Sequence, residues 1–141
     1  MKAILFITVF FLAFGILAQE IDENTKLKNT LTTIFKLSAE KKYAEAGKLF
    51  VYEGEDQTRN LKSVLDFAKK EDKKTIQRIC KKIDAFVKLS DNYEIENITD
   101  EVKAGRTTKI IKVNFISGDQ VLGTNFHFVS LNEKYLLIDL K

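Results

Sequence analysis

Thr107, Thr108, Lys109, Ile110, Ile111, Lys112, Val113, Asn114, Phe115, Ile116 is the stretch that decides the fold. Its side chains alternate. Ile111, Val113 and Phe115 share one face, and Ile110, Lys112, Asn114 and Ile116 share the other, which is the pattern of a strand buried on one side. Ser117, Gly118, Asp119 and Gln120 follow as a hairpin loop, and a further strand is expected from about Val121 to Ser130. Asn132, Glu133 and Lys134 turn the chain again, and Tyr135 to Leu140 forms the last strand. Before the opening stretch, Tyr93 to Thr99 also alternates, with Tyr93, Ile95 and Asn97 opposite Glu94, Glu96 and Ile98. The C-terminal half is therefore a four-stranded antiparallel meander.

N-terminal to Asn92 the period changes to that of a helix. Leu27, Leu31, Ile34, Phe35 and Leu37 predict a helix from about Glu23 to Ser38, capped by Asp22 or Asn24. A short helix is expected from Tyr43 to Phe50. Lys42 to Phe50 is similar to half of a tetratricopeptide unit, but no second copy follows about 34 residues on, which argues against a helical solenoid. Glu53 to Thr58 reads as a polar turn, after which Leu61, Val64, Leu65 and Ala68 resume a helical stripe. Ile76, Ile79, Cys80, Ile83, Phe86 and Val87 then mark a strong amphipathic helix from about Asp72 to Leu89. Its lysines are interspersed with Glu71, Asp72 and Asp84, so its polar side reads as a solvated face rather than an anion-binding strip.

Helices followed by a meander define an α+β fold, with the N-terminal helices packed on one face of a curved, cone-like sheet. The chain is 141 residues long with a net charge of +3, which suits one domain and gives no basic excess that calls for nucleic acid. Lys2 followed by an apolar run and the small residue Ala18 reads as a signal peptide over residues 1–18, leaving 19–141 as a single secreted or periplasmic domain. That run is shorter than a bilayer span. The only cysteine, Cys80, is not at the cleavage point, so no lipid attachment and no internal disulfide are expected, and Cys80 itself reads as a buried apolar residue. No stable membrane anchor follows. Asn97, Ile98 and Thr99 form a glycosylation sequon, expected to be unused in a chain that reads as bacterial.

The order of elements, with the long N-terminal helix, the short helix over Tyr43 to Phe50, the further helix and the strands ending in Tyr135 to Leu140, resembles the cystatin-like cone superfamily typified by nuclear transport factor two. That superfamily also includes ketosteroid isomerases and polyketide cyclases. The closest likeness is to its small exported members of unknown function, in which a segment like Phe50 to Asn60 links helices. The resemblance implies a conical fold with an apolar pocket between sheet and helices, and it implies no reaction. A cone also carries a strand or hairpin between its early helices. Here either Leu49 to Glu53 pairs with the sheet edge or the cone is reduced.

The candidate ligand contacts are Ile111, Val113, Phe115, Phe126 and Phe128 on the sheet, with Ile83 and Phe86 on the helix; these residues could instead close into a dry core. In that second case the exposed sheet face would be the functional surface, suited to a homodimer. Tyr52 and Arg59 form a possible pocket rim, with Arg59 expected to pair with Glu53, Glu55 or Asp56, and Asp56 to cap the following helix. His127 and Asp139 are the catalytic candidates, since an isomerase or hydrolase would need one of them as a base inside a pocket. With no second histidine, no cysteine pair and no calcium loop, neither a metal nor a cofactor is expected. The sequence thus favours an exported, non-catalytic module that binds a small apolar ligand or a protein partner. A cone-fold enzyme and a ligand-free structural envelope protein are the alternatives.

Overall fold

The computed structural model describes residues 22–103 and 105–141. The expected signal segment and its cleavage point at Ala18 lie outside the described residues. The first helix, α1, covers residues 22–39, followed by α2 (Tyr43–Gly47), α3 (Lys70–Leu89), β1 (Asn92–Lys103), β2 (Arg106–Ser117), β3 (Gln120–Leu131) and β4 (Lys134–Leu140). The strands form one antiparallel sheet in the order β1-β2-β3-β4. Asp22 and Asn24, expected at the cap of α1, lie within it, and Asp22 instead pairs with Lys26 one turn on at 2.7 Å.

The predicted faces of β2 and β3 determine the core. Ile111, Val113, Phe126 and Phe128 are fully buried, and they pack with Leu27, Leu31, Ile34 and Phe35 of α1 and with Ile76, Cys80 and Ile83 of α3. Phe35 lies at the aromatic centre, with ring centroids 5.1 Å from Tyr93, 5.4 Å from Phe126 and 5.9 Å from Phe115. These are separations at which offset and edge-on rings attract. Cys80 is buried as expected, and burial pushes its thiol pKa up, away from reactivity.

Tight turns connect the strands. Ser117 pairs with Gln120 and Leu131 with Lys134, so each loop has two residues. Gly118 supplies φ +55 in the first, while Asn132 and Glu133 both adopt positive φ in the second, the geometry whose twist matches the flanking strands.

Two register shifts alter the simple alternation. In β1, Ile95 pairs with Val113 but Asn97 pairs with Lys112, so Glu96 is an extra residue. The bulge reverses the phase beyond it. Ile98 consequently joins Tyr93 and Ile95 against the core, whereas strict alternation put Asn97 on that face. In β4, Phe128 pairs with Leu137 and His127 with Asp139, so Ile138 bulges. Leu137 and Leu140 both reach the core, and Asp139 is carried to the other face.

Between α2 and α3 the chain forms turns and two short bridged stretches, at Phe50 and Val51 and at Val64, which corrects the expected helical stripe. The Val51 amide donates to the Leu137 carbonyl at 2.9 Å, and the Leu137 amide to the Leu49 carbonyl at 2.8 Å, adding a short parallel segment beside β4. The chain then returns antiparallel to it: the Tyr52 amide donates to Ser63 at 2.8 Å and the Leu65 amide to Phe50 at 2.9 Å. Leu65 is buried while Val64 is 37% exposed, the alternation of an extended strand rather than a helix. Of the two possibilities left by the sequence, edge pairing is the one observed. For Phe50 to reach the sheet, α2 must stop at Gly47 rather than continue to Phe50. Gly47 also lets α2 approach α3, because a Cβ there would lie 2.5 Å from Ile76 Cδ1. On the outer face Val51, Val129 and Leu136 form a second small cluster with Leu61 packed against it.

Candidate functional site

Ile83, Ile111, Val113, Phe126 and Phe128 are fully buried and Phe115 is 3% exposed, so the expected ligand contacts close against one another. This is the dry-core alternative. Phe86 is only partly buried and, with Phe115, reaches an open depression at the end of the cone that also includes Leu89, Val121 and Leu122.

Beside the closed core a cleft of about 400 Å³ opens between α3 and the end of β4. The added edge segment supplies Val51, Tyr52 and Leu65, α3 supplies Thr75, Arg78, Ile79 and Lys82, and β4 supplies Ile138 to Lys141. The floor is apolar and the rim is charged. A second groove of about 530 Å³ runs over the outer sheet face, with His127, Arg106 and Asn60 among its lining. Glu53, Ile138, Asp139 and Lys141 border both, so the two depressions meet at Asp139.

The wall behind Tyr52 is built from an ion pair. Arg59 Nη2 lies 2.5 Å from Asp72 Oδ2, and the Asp66 amide donates to the same oxygen at 2.8 Å. The Arg59 guanidinium also stacks on the Tyr52 ring, 4.1 Å from its centroid. Asp72 is buried in the first turn of α3. Burial pushes its carboxyl pKa up, but the hydrogen bonds from Arg59 and the Asp66 amide outweigh that effect and hold it below the usual aspartate value. Arg59 therefore does not pair with Glu53, Glu55 or Asp56, as the sequence suggested. Its partner is thirteen residues away, brought close by the extended return of the chain. Asp56 accepts from the Thr58 amide at 3.0 Å and the Thr58 hydroxyl at 2.6 Å. It stabilises a turn, since no helix follows there.

His127 and Asp139 are cross-strand partners in the outer groove. His127 Nδ1 is 3.9 Å from Asp139 Oδ1, and their side chains are 17% and 30% exposed. That distance is too long for a hydrogen bond. Asp139 Oδ2 is paired with Lys141 at 3.0 Å, while Oδ1 is buried without a hydrogen-bond partner among the described residues. The two groups share a groove without forming a bonded acid–base dyad.

Sequence reasoning missed Thr75, Arg78 and Lys82 as cleft residues. They occupy one flank of α3 at steps of three and four, and this spacing was the available signal. Asp139 was found as a candidate, but its position beside His127 depends on the bulge at Ile138, which no periodicity reveals.

No family model matches the chain, and no curated protein matches it in sequence. Among solved structures, a designed protein of the nuclear transport factor two type carrying five substitutions is similar to it. The TM-score is 0.50 at 17% identity, over 86% of this chain and 97% of that one. With helices N-terminal to a curved four-stranded antiparallel sheet, the chain has the cone fold of nuclear transport factor two-like proteins.

Proposed function

We propose that this chain is an exported, non-catalytic binding module whose ligand occupies the cleft between α3 and the end of β4, not the interior of the cone. One observation carries this reading: the concave face is packed shut, while beside it an apolar floor with a polar rim remains open. Apolar surface provides the driving force for binding, and a few polar groups at the rim orient the ligand. Native mass spectrometry of the protein purified from its own host tests the proposal and gives the oligomeric state at the same time. The expected result is a retained small molecule that is lost when Thr75→Arg fills the cleft. Retention that persists in that variant would contradict the proposal.

His127 and Asp139 give a second reading, because neither points into bulk solvent. As an acid–base pair, they would make the outer groove the site of an isomerase or hydrolase, requiring a ligand to draw them within hydrogen-bond distance. An activity abolished by His127→Ala would favour this reading, and an activity unaffected by that change would remove it.

A further inference from the structure

The solvent side of α3 has a different charge from the one its sequence suggests. Three acids, Glu71, Asp72 and Asp84, interrupt the lysines in the sequence, but only Glu71 lies on the open face. Asp72 is buried and bonded to Arg59. Asp84 has one oxygen buried and the other held by Lys88 at 2.7 Å. What remains along the exposed side is Lys74, Arg78, Lys81 and Lys82, with Glu71 engaged by Lys74 at 3.0 Å. This strip leads to an apolar rim. Leu89 at the end of α3 is 78% exposed, and Val121 and Leu122 at the β2–β3 tip are 62% and 50% exposed in the same depression. The Lys82 ammonium lies 5.7 Å from the Phe86 ring centroid, joining the strip to the rim.

We propose that the solvent side of α3 from Lys74 to Leu89, together with Val121 and Leu122 at the β2–β3 tip, docks reversibly on an anionic lipid bilayer. The composition favours lipid over protein. Protein interfaces are depleted in lysine and are anchored by tryptophan, tyrosine and arginine. Here the cations are mostly lysines and the protruding groups are aliphatic, the combination that places apolar tips among acyl chains and ammonium groups among phosphates. Among the described residues no helix is long and apolar enough to cross a membrane, so contact would be peripheral. Arg78 and Lys82 also line the cleft, whereas Lys74, Lys81, Leu89 and Leu122 do not, so these four separate docking from cleft occupancy.

Co-sedimentation of the protein lacking residues 1–18 with phosphatidylcholine vesicles, with and without phosphatidylglycerol, tests this. Binding is expected only when phosphatidylglycerol is present, and it should fall as salt is added. Lys74→Gln with Lys81→Gln should weaken it roughly twenty-fivefold, since each lysine near such a surface contributes about fivefold. Leu89→Ser with Leu122→Ser should also weaken it while leaving the melting temperature nearly unchanged. Equal binding to neutral vesicles, or no binding to either, would overturn the proposal. So would binding that is indifferent to the apolar pair, because it would then be only charge attraction to any polyanion, protein or nucleic acid.

Discussion

One helix borders two quite different regions. Along one side of α3, Ile76, Cys80 and Ile83 have no exposure and are packed against the sheet and α1. On the adjacent flank, Thr75, Arg78 and Lys82 line an open cleft. The difference comes from what lies opposite. The first side faces Phe126, Phe115 and the α1 residues around Phe35, whose volume leaves the concave face without an opening. The second faces the short edge segment at Val51 and Tyr52, too narrow to cover it. A cone can thus fill its interior with aromatic side chains and leave an open cleft where helix and sheet edge diverge.

The largest expected effect comes from opening the closed side. Phe126→Ala should cost about 3–5 kcal/mol in urea denaturation and create an apolar cavity. If the cost falls below about 1 kcal/mol, Phe126 is not the packing element assumed here.

The next effect concerns the wall between the two regions. Asp72→Ala removes the buried partner of Arg59 and should cost about 3 kcal/mol, because it leaves an uncompensated charge. The pH dependence follows from the lowered pKa of Asp72. Its stabilisation is fully present above the unfolded aspartate value of about 3.9 and is lost as pH falls through the lower folded value. The acid limb of the wild-type stability curve should therefore flatten in Asp72→Asn, and an unchanged limb would count against the ion pair.

Smaller still, Tyr52→Leu should cost about 1 kcal/mol through the lost stacking with Arg59. It should also change the cleft wall, so ligand retention should fall by more than this modest stability loss accounts for. Smallest of all, His127→Ala should shift stability by less than about 1 kcal/mol, as befits a partly exposed pair that is not hydrogen-bonded. A larger loss in a thermal melt would mean that the two groups are coupled more tightly than their 3.9 Å separation indicates.

The closed region was the more legible of the two in the sequence. Ile111, Val113 and Phe115 alternate, and Ile76, Cys80 and Ile83 recur at helical steps, so periodicity alone grouped each set on one face, while the choice between Phe126 and His127 as the inward side of β3 was left to the packing. The cleft was less legible because its parts depend on contacts remote in sequence. The bulges at Glu96 and Ile138 reverse the alternation through one added residue each. The segment from Leu61 to Ala68 has helical spacing yet forms no helix, because backbone pairing with Tyr52 and Phe50 provides hydrogen bonds that a local helix would otherwise supply. Arg59 had three acids within six residues and its guanidinium bonds none of their carboxylates, since only Asp72 is held in a buried, fixed geometry.

Xenon, followed through methyl shifts in NMR spectra of the protein lacking residues 1–18, is the most direct test of the closed interior. Xenon enters apolar cavities that water leaves empty. The account predicts no saturable shift at the methyls of Ile83, Ile111 and Val113, and the appearance of such shifts in Phe126→Ala. Saturable shifts at those methyls in the unaltered protein would contradict it, showing that the cone retains an interior site.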